Sequence, residues 1–380
     1  MRPLDGITVI EMAGLAPSPY CGMLLSDFGA DVVVVDRPSK GAPEIPYIME
    51  NNPFDRGKRS IRINLKTDQG IRVLEKMIRR ADILLEPYRP GVMESLGLGP
   101  DQAMAGNRRL IYARLTGWGQ DGSYAGMAGH DIDYIALSGA LSLFRRKGER
   151  PLPPCNLLGD FAGGGMLCAV GILLALVERS RSGKGQIVDA AMVDGAASLS
   201  TFFFSMLAHR MMSPDIGTNV LDGGAPFYQT YETADRKFMA VGAIEGRFYA
   251  ELLKGLDLDP ASLPHQMDTG KWPEMIDHFA AVFKTKTRDE WARIFEGKDA
   301  CVAPVLELSE VDQHPHNRER GIMVTIADVP QPAPAPRLSR TPGEAQPARG
   351  RRGANSREIL AALGYPENET MELFNAGVVE

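Results

Sequence analysis

Cysteine is scarce in this chain of 380 residues, and the four it has, Cys21, Cys155, Cys168 and Cys301, lie far apart with no Cys-x-x-Cys pair. That spacing argues against a disulfide framework or a cysteine zinc site and fits reduced thiols in a cytoplasmic protein. Excess positive charge is missing as well. The formal net charge is −6 with Lys and Arg spread through the chain, so no nucleic-acid footprint is present. No apolar run follows the charged opening Met1-Arg2-Pro3-Leu4-Asp5-Gly6, which argues against a secretory leader, and the ending Ala376-Gly377-Val378-Val379-Glu380 matches no retention or peroxisomal tripeptide. The uncharged stretch 161–177 only reaches the lower length limit for crossing a bilayer. Its three consecutive glycines, with Asp160, Glu178 and Arg179 at its flanks, favour a buried helix, and no membrane partner is expected. Histidine is equally sparse. His314 and His316 flank Pro315 with no third ligand nearby, and His209, His265 and His278 stand alone, so no metal is expected.

What remains is an ordinary globular composition, 44% hydrophobic and 24% charged. Residues 7–12, 31–36, 60–65, 82–86 and 110–115 read as strands, and 17–28 and 67–80 as helices; this alternation predicts a parallel, Rossmann-like sheet. A further helix is expected at 161–177, a strand at 186–189 and a helix at 190–209. From 226 onward a hairpin turned at 234–236 precedes helices at about 246–256, 272–283 and 287–295, a smaller α+β arrangement. Six prolines within 329–347 predict an extended connector, and two short helices follow at 356–363 and 367–375. The expected organisation is α/β: a large domain from 1–210 with 330–380, a linker at 211–225, a small α+β domain at 226–320 and a proline-rich return at 321–347.

The first strand-helix-strand unit invites a dinucleotide reading, with Asp36 ending the second strand where an acidic ribose partner would stand. It fails on Met12-Ala13-Gly14-Leu15-Ala16-Pro17, which lacks Gly-x-Gly-x-x-Gly and places a proline where amides would cradle a pyrophosphate. The basic run Arg56-Gly57-Lys58-Arg59-Ser60 is by itself a solvated surface. Together with Arg37, Lys66 and Arg89 at neighbouring strand ends it would make an anion pocket for a ligand with several phosphates.

The stretch with the most chemistry is Gly129-His130-Asp131-Ile132-Asp133-Tyr134, followed by Asn156-Leu157-Leu158-Gly159-Asp160-Phe161-Ala162-Gly163-Gly164-Gly165. It sets an imidazole and a carboxyl at the openings of two apolar segments bordered by glycines. A base, an acid and helix-start amides together point to proton transfer. Three consecutive glycines are poor helix formers, so something is expected to approach that turn closely, with room for a substrate. The first-turn amides around Asp160 are candidate donors to a transient oxyanion. Leu157, Leu158 and Phe161 are the expected source of desolvation for Asp160, opposed by the helix N-terminus.

At these residues the chain resembles the family III CoA-transferases, the CaiB/BaiF group. The resemblance extends through Gly14-Leu15-Ala16-Pro17, Asp36-Arg37-Pro38, Arg56-Gly57-Lys58-Arg59-Ser60, Leu85-Glu86-Pro87-Tyr88-Arg89, Gly183-Lys184-Gly185-Gln186 and further segments at 221–228, 240–245 and 299–306. His130 and Gly242-Ala243-Ile244-Glu245 are similar to the racemase branch of that family. The resemblance implies interconversion of (2R)- and (2S)-2-methylacyl-CoA thioesters, with an interlocked homodimer and an active site between subunits. It further implies His130 and Asp160 as acid/base residues, Glu245 as the partner of His130, and CoA contacts from Arg37, Ile63, Asn64, Leu65, Lys66, Arg89, Gly129, His130, Asp131, Ile132, Asp133 and Tyr134. No cofactor is implied, CoA being part of the substrate. The alternative that the family carries is CoA transfer between carboxylic acids, with Asp160 as nucleophile.

Overall fold

A computed structural model describes residues 1–39 and 52–380. The chain divides into two compact units, one made of Met1–Ser138, Pro154–Leu199 and Arg318–Glu380, the other of Gly139–Pro153 and Ser200–Asn317.

The first unit is built on six parallel strands: β1 (Thr8–Met12), β2 (Asp31–Asp36), β3 (Arg59–Arg62), β4 (Ile83–Glu86), β5 (Ile111–Thr116) and β6 (Ile187–Ala191). They lie in the order β3-β2-β1-β4-β5-β6. Val32, Val33, Val34 and Val35 of β2 are all buried, because helices cover both faces of a parallel sheet and leave no solvent side for alternation to mark. One face packs on the Asp68–Ile78 helix and on Ile359, Leu360 and Leu373 of the C-terminal helices; the other packs on the Pro17–Asp27 and Leu167–Ser182 helices. Winding reverses between β1 and β4, which makes the carboxyl ends of the strands there the natural ligand crevice. At that point the Pro17–Asp27 helix offers no free amide. Pro17 and Pro19 have no N–H, Ser18 donates to Leu15 O at 3.3 Å, and Tyr20 donates to Ala16 O at 3.2 Å. A pyrophosphate cradle of the dinucleotide type is therefore not built here.

The second unit has an antiparallel sheet of β7 (Tyr228–Glu232), β8 (Phe238–Gly242) and β9 (Val302–Pro304), with β8 central. Its core gathers Phe227, Tyr231, Leu252, Phe279, Phe283 and Trp291. Tyr231 stacks on Phe283 with centroids 4.9 Å apart.

Three features depart from the sequence reading. The helix expected over 190–209 is two helices, Met192–Leu199 and Thr201–Ala208, and the unit boundary falls between them; 139–153 and 200–210 belong to the second unit. The proline-rich return starts as a hairpin, β10 (Met323–Ile326) with β11 (Val329–Pro332); a two-stranded ribbon is all edge, where Pro330 and Pro332 are tolerated. The buried helix expected at 161–177 begins earlier, as a π-helical segment Leu157–Met166 that continues into Leu167–Ser182. Together, 157–182 are long and apolar enough to cross a membrane, yet one side packs into the first unit through Cys168, Ala169, Ile172 and Ala175. Arg179, also buried, pairs with Asp82 at 2.9 Å.

Candidate active site

His130 is delivered by the loop that leaves the carboxyl end of β5. Tyr134 organises that loop: its hydroxyl donates to the Gly129 carbonyl, and the Trp118 ring meets it edge-on with centroids 4.7 Å apart. Gly117 and Gly129 give it room, since a Cβ there would come within 2.1 Å and 2.7 Å of the Tyr134 ring. His130 then stands exposed as the residue preceding the Asp131–Leu137 helix, with its N–H donating to Asp133 Oδ2 at 2.9 Å. Burial, chiefly, pushes the Tyr134 phenol up to about 12, and the nearby Asp160 charge adds to this.

Asp160 sits in the first turns of the Leu157–Met166 segment, half-buried, with Asn156 Nδ2 donating to its Oδ2 at 3.0 Å. Its carboxyl is held above the usual carboxylate range. Burial is the main cause; the negative charge of Asp131 adds to it, while the Asn156 hydrogen bond and the charge of His130 oppose it. His130 and Asp160 are thus within electrostatic reach of each other. The desolvation does not come from Leu157, which is largely exposed. Phe161 is half-buried among Tyr20 and Phe54, with centroids 5.1 Å and 5.6 Å away.

Two expectations about this turn are corrected. The amides of Gly159 and Asp160 are not available to an oxyanion: both donate to Asp131 Oδ2, at 2.6 Å and 2.7 Å. The glycines that follow do not leave room for substrate either. A Cβ on Gly163 would lie 2.9 Å from the Ala196 nitrogen, one on Gly164 3.0 Å from the Met192 side chain, and one on Gly165 2.5 Å from the Pro17 carbonyl. What approaches the turn closely is the chain itself, the Met192–Leu199 and Pro17–Asp27 helices, by backbone at Gly163 and Gly165 and by the Met192 side chain at Gly164. Asp131 is buried, its Oδ2 holding these two amides, and burial raises its own carboxyl despite them.

The basic residues sort into two groups. Arg56 pairs with Asp27, with Nε to Oδ1 at 2.9 Å, Lys58 with Glu11 at 2.7 Å, and Arg59 with Asp31 and Glu358; the first two pairs are buried. Internal carboxylates consume these charges, so the run at 56–59 is not part of an anion pocket. Arg37, Lys66 and Arg89 are exposed after β2, β3 and β4 and form no ion pair among the described residues. Arg37 acts on Tyr88 and Arg89 on Tyr134, which ties these cations to the same strand edge as the 129–134 loop. Ile63 is buried, bridged to Val379, while Asn64 O accepts from Thr67 Oγ1 and Leu65 is half-buried. Ile132 and Asp133 are exposed beside His130 and Gly129 is half-buried.

Glu245 lies in the second unit, exposed, at the start of the Gly246–Gly255 helix that follows β8. Its charge helps to raise the Cys301 thiol. Asn156 is the site residue that the sequence reading passed over. Its position four before Asp160, one helical turn away, was the available signal.

A model of CoA-transferase family III matches residues 4–355. The chain is 51% identical to α-methylacyl-CoA racemase from Mus musculus over 379 residues, covering 99% of this chain and 97% of that one. It is 50% identical to α-methylacyl-CoA racemase from Homo sapiens over 381 residues, with the same coverage. Among solved structures, a CaiB/BaiF family protein from Brucella suis superposes with a TM-score of 0.81 at 25% identity, covering 95% of this chain and 99% of that one.

Proposed function

The chain belongs to CoA-transferase family III, and from that premise we propose that it interconverts the (2R) and (2S) forms of 2-methylacyl-CoA thioesters. The α C–H of a thioester is acidic because the carbanion delocalises onto the carbonyl oxygen. One group removes the proton from one face, the C–H electrons move into an enolate, and a second group returns a proton to the other face. His130 and Asp160 are the proposed pair, each contributing on the order of 10²- to 10⁴-fold, and Glu245 is the proposed partner of the imidazole. No cofactor enters; the CoA phosphates are proposed to lie on Arg37, Lys66 and Arg89, with the 63–66 strand end and the 129–134 loop as the remaining contacts.

The observation that carries this reading over CoA transfer is that an imidazole, His130, and a carboxyl, Asp160, act on each other, two acid/base groups where a nucleophile would need only the carboxyl. Burial and the neighbouring Asp131 raise the Asp160 carboxyl from its ordinary value, which suits a group that takes up the proton in one direction and returns it in the other. The identity of about half to racemases along the whole chain supports the same choice. The compartment we propose is the cytoplasm, in keeping with four unpaired thiols. The assembly we propose is a homodimer. On the outer side of the 157–182 helix Met166, Val170, Leu173, Leu174 and Val177 form an exposed apolar stripe at helical spacing, suited to a second copy.

The test is incubation of (2R)-2-methylacyl-CoA with the protein in heavy water. Deuterium at the α-carbon with loss of optical purity is expected. Acyl exchange onto free carboxylates without α-exchange, with an Asp160 adduct trapped by hydroxylamine, would replace this reading by the transferase one.

A further inference from the structure

We propose that Asp131 is a positioning residue of this reaction: its side chain fastens the turn bearing Asp160 to the start of the helix next to His130, so that both reacting groups are set from one point. The inference rests on the racemase reading and adds a residue to it. Three observations lead there. Asp131 follows His130 directly in the chain, and its Oδ2 accepts from Gly159 N at 2.6 Å and Asp160 N at 2.7 Å. The approach depends on a glycine, since a Cβ on Gly159 would stand 2.6 Å from that same oxygen. The other oxygen, Oδ1, is buried with no hydrogen-bond partner among the described residues.

That last point separates Asp131 from a plain helix cap. Serine or asparagine caps amides as well as aspartate does, without burying an unpartnered carboxylate oxygen, which is costly. The charge has a use beside Asp160. The amides at a helix start would ordinarily stabilise Asp160 as an anion; here two of them are turned toward Asp131, whose charge acts on the Asp160 carboxyl instead. The charged groups that act on Asp160 are Asp131 and His130, and Tyr134 on the same helix senses Asp160 in turn. The Pro17–Asp27, Leu167–Ser182 and Met192–Leu199 helices, with β5 and β6, pack on the segment and bring no charge that acts on it among the described residues. The Asp131 charge raises the Asp160 carboxyl, and the Asp131 carboxyl is itself raised by burial.

The experiment compares kcat/KM against pH for α-exchange of 2-methylacyl-CoA in the full chain, Asp131→Asn and Asp131→Ala. Asparagine keeps an oxygen for the two amides and removes the charge. The acid limb of its profile is expected to move down by about one pH unit, with the basic limb unmoved. Alanine removes the tie as well, and kcat is expected to fall by about 10²-fold with little change in KM. Activity lost in both variants with neither limb moved would make Asp131 merely structural and overturn the proposal. Should the variants not fold, infrared difference spectra of the unaltered protein against Asp160→Asn decide. A protonated Asp160 carbonyl band persisting to a pH at least about one unit above the ordinary aspartate value near 3.9 is expected, and its loss at that ordinary value overturns the proposal. Absence of α-exchange in the unaltered protein would instead remove the racemase reading, while the infrared titration still reports on the Asp131–Asp160 pair.

Discussion

Asp160 carries opposing requirements. A carboxyl that must both take and give a proton has to be less favoured as an anion than a solvated one, and burial beside Asp131 raises it from its ordinary value. The same arrangement burdens the fold. An acid whose pKa is raised on folding binds its proton more tightly in the native state, so its contribution to stability declines as pH rises from the unfolded value through the folded one. Asp160→Asn is therefore expected to abolish α-exchange, by about 10²- to 10⁴-fold, while melting above the parent at pH 8 and alongside it near pH 4. Activity assays with paired thermal melts at the two pH values check this; a variant that melts below the parent at pH 8 contradicts it. His130 and Asp160 were legible as candidates because each opens an apolar segment beside glycines. Asp131 as a tie was not, because its hydrogen bonds reach 28 and 29 residues along the chain, and periodicity reports only on near neighbours.

The elements show what glycine patterns do and do not reveal. Three glycines in a helix mark a close approach, and sequence alone leaves open whether ligand or backbone makes it. Here the Leu157–Met166 segment crosses Met192–Leu199 at glycine on both sides: a Cβ on Gly195 would fall 1.9 Å from the Gly163 carbonyl oxygen. Gly195→Ala must separate the two helices, and a loss of about 1–3 kcal/mol is expected, read from urea unfolding. A destabilisation within error would mean the crossing is slack. Alternating strands and helices in the first unit were legible from 7 to 116 because hydrophobic runs of strand length recur there. The π-helical start at Leu157 and the hairpin within the proline-rich return were not, since both are fixed by what packs against them. The break at Ser200 falls where the chain passes between units, and nothing in its apolar pattern marks it.

At the scale of the molecule, charge and apolar surface divide the labour. Arg37, Lys66 and Arg89, which form no ion pair among the described residues, follow β2, β3 and β4, and their proposed role is to hold a phosphate-bearing ligand at the carboxyl edge. Arg89→Ala is expected to raise KM for a CoA thioester several-fold with kcat preserved, by an amount that shrinks as salt rises; a fall in kcat at constant KM would remove Arg89 from the binding set. The apolar stripe makes a different demand. Leu174 is 66% exposed and Val177 54%, and a contiguous patch of this kind on a free monomer favours association. If a second copy covers it, sedimentation equilibrium at micromolar concentration gives twice the chain mass. Leu174→Glu with Val177→Glu, two buried charges without partners in such an interface, shifts the protein to monomer. Activity tells whether the partner matters to the site: exchange that falls in step with the dimer fraction across a dilution series assigns it a part there. Exchange that persists in the monomer confines the stripe to assembly, and a parent chain that sediments as a monomer removes the homodimer altogether.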